Sequence, residues 1–153
     1  MSQKGYEIGA LIGTIDPQLV TTTEKFTDVV DMSKFDQVTF YFLLGDAKHS
    51  DIVARVVTCD SGGNNVAAFK TASTLDGSAS DNDNTQIIIN VAAEDLAGGT
   101  ASTADRYVKG GLVTASNDTY AACAAIGYIP KHAPGHADAP DLTSIQEIED
   151  DKD

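Results

Sequence analysis

Apolar and polar positions alternate most clearly over Gln37–Leu44, QVTFYFLL, where Val38, Phe40, Phe42 and Leu44 share one side and Thr39, Tyr41 and Leu43 the other. β-Branched and aromatic residues at a period of two, stopped by Gly45, specify a strand. Asp51–Cys59, DIVARVVTC, repeats the pattern with Ile52, Ala54 and Val56 on one side and Val53, Arg55 and Val57 on the other. The link between them, GDAKHS, has the length of a hairpin loop. The turn cluster DSGGNN (60–65) precedes a short strand at Val66–Lys70, and a further strand is read at Gln86–Val91, QIIINV. Ala92–Leu96 has room for one helical turn before Gly98 and Gly99 end it. Arg106–Ala115, RYVKGGLVTA, reads as a strand with a bulge or bend at Gly110–Gly111. Thr119–Ile129, TYAACAAIGYI, reads as the last strand, with a helix left open for its Ala-rich centre; its small side chains suit close approach by another layer or subunit.

These seven or eight short strands, separated by turn clusters, predict an all-β protein: a β-sandwich, the jelly roll among its forms, ahead of a small barrel. The alternation predicts a core of Val38, Phe40, Phe42, Ile52, Val56, Ile87, Ile89, Val108 and Leu112. Three parts follow. Residues 1–25 show no sustained period and carry Gly5, Gly9, Gly13 and Pro17, so they read as an extended N-terminal arm. Residues 26–130 form the sandwich. Residues 131–153 form a Pro-rich exit and an acidic tail, in which Leu142, Ile145 and Ile148 are spaced for a helical turn on a partner.

Charge then narrows the function. The 153 residues include 10 basic and 23 acidic side chains, a formal charge of −13. That sign argues against nucleic acid and against an anionic membrane surface as partners. No apolar run approaches a membrane span, and the N-terminus is a poor secretory signal. Cys59 and Cys123 lack metal-site spacing and read as buried thiols, with a bridge between them left open.

Candidate chemistry is sparse. His49, His132 and His136 accompany no nucleophile motif, and the phosphate-binding loop patterns do not match. Pro134 and Gly135 break the helix that a His132–His136 zinc pair would need. Asp76, Asp81 and Asp83 could offer oxygens to calcium, but the spacing of a calcium loop is missing. The tyrosines read as sheet residues rather than a sugar platform. The chain is therefore expected to be no enzyme, with no catalytic residues, metal or cofactor. A Ca²⁺-dependent or carbohydrate-binding sandwich module is the alternative.

Three segments carry a family resemblance: DMSKFDQVTFYFLLGD (31–46), IVARVVTCDSGGNNVAAFK (52–70) and DRYVKGGLVTASNDTYAACAAIGYIPKHAP (105–134). In pattern and order they resemble small head proteins of tailed bacteriophages, the capsid decoration or cement proteins. The resemblance implies a virion structural protein, made in the host cytoplasm and placed on the capsid exterior. Its partners would be the major capsid protein and copies of itself, as in a trimer. Ile8, Leu11, Ile12, Ile15, Leu19 and Val20 of the arm, with no local core to bury them, are expected to make the capsid or subunit contacts.

Overall fold

The computed structural model describes residues 9–46, 50–77, 83–97 and 106–130. Among these described residues nine strands follow one another: β1 (Gly9–Val20), β2 (Lys25–Phe26), β3 (Val30–Asp31), β4 (Phe35–Leu44), β5 (Ile52–Cys59), β6 (Ala67–Thr71), β7 (Gln86–Ala92), β8 (Tyr107–Thr114) and β9 (Thr119–Pro130). Among the described residues one short helix, α1 (Ala93–Ala97), follows β7, where a single turn is expected. Successive strands are shared between two antiparallel sheets. Sheet A has the order β1-β9-β4-β7; sheet B has β2-β8-β5-β6, with β3 also on β8. With β2 and β3 taken as one interrupted strand, this is the connectivity of a jelly roll.

The core lies between the sheets. β4 sends in Val38, Phe40 and Phe42, and β5 answers with Ile52, Ala54 and Val56; all six are fully buried. Val108 and Leu112 of β8 are equally enclosed, Ile89 of β7 is nearly so, and Ile87 packs at the margin of the cluster. The predicted residues thus lie in or against the observed core, which extends beyond them. Phe40 and Phe42 stack with ring centroids 6.5 Å apart.

The sequence reading needs three corrections. The link after β4 does not close a hairpin, because β4 pairs with β7 and β9 while β5 pairs with β6 and β8. The chain crosses there from one sheet to the other. Gly110 and Gly111 cause no bulge either: β5 and β8 stay in register through Arg55↔Gly111 and Val56↔Gly110. What those glycines provide is proximity. A Cβ on Gly110 would stand 2.8 Å from Phe40 Cδ1 and 3.1 Å from Phe42 Cζ, so its absence lets the two aromatic rings reach sheet B.

The third correction concerns the N-terminal segment. Gly9–Val20 does not extend away from the domain; it is a twelve-residue strand paired with β9 along its length. Ile12, Ile15 and Val20 drop into the core with at most 2% exposure. Register shifts between Leu11 and Gly13 and between Ile15 and Gln18 let a strand with irregular spacing keep its large side chains inward.

Candidate interaction surface

The outer face of sheet A is made by the residues that alternate with the core. On β9 these are Tyr120, Ala122, Ala124, Ile126 and Tyr128. On β4, Tyr41 lies opposite Ala124 and Leu43 opposite Ala122; on β7, Ile88 lies opposite Tyr41. On β1, Leu11 faces Ile126 and Leu19 faces Tyr120. Five large apolar side chains stand out as exposed among the described residues, and four of them are here: Leu19, Leu43, Ile88 and Tyr120, at 38–65%.

This face is nearly free of charge. β7 and β9 contain no Asp, Glu, Lys or Arg, β1 contains only Asp16, at a register shift, and β4 only Asp36, at its start. Two pairs of its polar groups satisfy one another. Thr39 Oγ1 donates to Asn90 Oδ1 across β4 and β7 at 2.7 Å. The Tyr41 and Tyr128 hydroxyls pair at 3.4 Å, and that hydrogen bond, followed by burial, raises the Tyr128 phenol above its ordinary value. Polar groups already paired lose little when water leaves, so such a face is inexpensive to cover.

Sheet B presents the opposite chemistry. Arg55 Nε and Nη2 donate to the two carboxylate oxygens of Glu24, each at 2.6 Å. That side-chain hydrogen bond raises the guanidinium pKa still further, against the effect of burial. Lys109 Nζ lies 4.0 Å from the Phe26 ring centroid and donates to the Gly63 carbonyl at 2.7 Å. Arg106 pairs with Asp31 at 3.1 Å, and Lys70 with Asp95 at 2.7 Å. The 60–65 turn is held by Asp60, whose Oδ1 accepts the Gly62 and Asn64 amides at 2.9 Å. Those bonds, the Asn64 amide first, lower its pKa. Asn65 there takes a left-handed φ of 53°.

The proposed contact residues divide. Ile12, Ile15 and Val20 belong to the core, so the reason given for a contact role, the lack of a local core, does not hold for them. Leu19 is exposed and Leu11 half-buried, both on the sheet A face. Ile8 lies outside the described residues, as do all three histidines, Asp81 and the acidic tail. Cys59 and Cys123 are buried and unbridged. Burial pushes the Cys123 thiol up to about 12 and raises that of Cys59 as well. Among the described residues no three His, Cys, Asp or Glu side chains gather as a metal site would require. In the sequence this face is marked by Leu43, Ile88 and Tyr120, outward apolar residues on three strands with no charge among them, and no contact role was expected of them.

No family model matches the chain, and no curated protein matches it. Among solved structures, similarity is found to a chain described under "Bacillus endospore appendages form a novel family of disulfide-linked pili". Identity is 13% and the TM-score 0.45, over 86% of this chain and 98% of that one. Likeness at this level assigns no function. That chain, by its description, comes from a pilus and not from a phage head. The expected kinship with capsid decoration proteins is therefore withdrawn, and with it the virion location and the major capsid protein as partner.

Proposed function

We propose that this chain is a structural, non-catalytic subunit that works by associating with copies of itself. The observation that carries the reading is the outer face of sheet A, apolar and almost uncharged on a chain of formal charge −13. Elsewhere two copies would bring like charges together or strip water from them. On this face they would cover hydrocarbon, at roughly 25 cal/mol gained per Å². Exposed apolar patches of this kind mark interaction sites more often than they decorate a monomer.

The test is mass against concentration by light scattering. The protein should be associated at micromolar concentration, and rising salt should tighten the association by screening repulsion between acidic copies. A monomer at every concentration would overturn the reading. An assembly that salt dissolves would instead point to ion pairs as its basis.

A further inference from the structure

The face has a shape as well as a chemistry. Its central strand, β9, carries Ala122 and Ala124 side by side on the outside, and the neighbouring strand β4 carries Leu43 and Tyr41 at the same two levels. A shallow dimple of small side chains therefore runs beside a ridge of large ones. The Ile88 side chain on β7 extends the ridge outward from Tyr41.

Resting on self-association as proposed above, we infer that sheet A pairs back to back with sheet A of a second copy about a two-fold axis running along the strands between β9 and β4. Such an axis lays β9 of one copy over β4 of the other at unchanged height. Ala124 then receives Tyr41 of the partner subunit, and Ala122 receives Leu43 of the partner subunit. Each contact occurs twice, as an isologous interface demands. No other placing of the axis along the strands sets dimple against ridge in both directions.

Area and charge agree. Four strands about 4.8 Å apart and roughly 30 Å long give a face near 600 Å², so two copies cover about 1,200 Å², the lower end of stable interfaces. The two charged side chains of these strands stay off the centre: Asp16 lies on the outermost strand, β1, and Asp36 at the very start of β4. Sheet B, with the partly exposed Arg55–Glu24 pair, faces away and stays in water.

Two single variants test the register, Ala124→Lys and Tyr41→Glu, each checked for β-type circular dichroism. Alone, each sets an unmatched charge against an apolar partner, and dissociation should rise at least 100-fold. Mixed in equal amounts, the two should form a 1:1 dimer, because the new cation of one lies over the new anion of the other. If either variant fails to fold, Ala122→Lys with Leu43→Glu asks the same question one level along. Wild-type association that persists in both variants, or a mixture that stays monomeric, overturns the inference and leaves self-association standing. A wild-type protein that is monomeric throughout overturns both.

Discussion

At the scale of single residues, the structure turns on close approaches across the core. Gly110 sits beneath Phe40 and Phe42, and any side chain there must displace one ring. Gly110→Ala should destabilise the protein by about 1–3 kcal/mol through overpacking, read as a lower urea midpoint with unchanged slope. Phe40→Ala acts in the reverse sense, opening a cavity at a fully buried site at a cost of about 3–5 kcal/mol. Cys123 links burial to pH. Its folded pKa, about 12, stands above the value of about 8.5 for a free thiol. Its contribution to stability is complete below the unfolded value and is lost as pH rises toward the folded one. Stability should therefore fall by up to about 1.4 kcal/mol per pH unit above about pH 8.5. Alkaline urea titrations of Cys123→Ala should lack that part of the slope. In the folded protein at pH 8, a thiol reagent should label neither cysteine until unfolding exposes them.

The elements show what a sequence can and cannot reveal. β4 and β5 were legible because β-branched and aromatic residues recur at a period of two in each, so Val38, Phe40, Phe42 and Ile52 declared their side of the sheet. β1 was not. Two register shifts and Pro17 break its period of two, and the same irregularity that let it fit against β9 made it resemble an arm. Which strands pair was also hidden, since at most of its links this jelly roll carries the chain from one sheet to the other, and the short 45–50 link looks like a hairpin. The candidate surface was half legible: its side chains were visible as strand residues, but their shared face depends on the pairing of β1, β9, β4 and β7. A deletion of residues 2–20 follows from this. It removes Ile12, Ile15 and Val20 from the core and uncovers the edge of β9, so cooperative unfolding should be lost. A truncated chain with native-like circular dichroism and a sharp thermal transition would contradict the place of β1 in sheet A.

For the whole molecule, charge and shape are divided between the two sheets. Sheet B carries ion pairs and a lysine held over an aromatic ring, which suits a face that remains in water. Sheet A carries internally paired polar groups among exposed Leu, Ile and Tyr, which suits a face that is covered. On the proposed reading, the acidic excess keeps unassembled copies apart and directs association to the face of sheet A, where charge is scarce among the described residues. The central claim is that this surface does the work. Sedimentation equilibrium of the wild type beside the double variant Leu43→Lys/Ile88→Lys tests it most directly, because both side chains are exposed, at 46% and 55%, and their replacement leaves the core intact. The wild type should sediment at twice the 16.0 kDa chain mass or an even multiple of it, and the folded double variant at the chain mass itself. Equal masses for the two proteins would contradict the account.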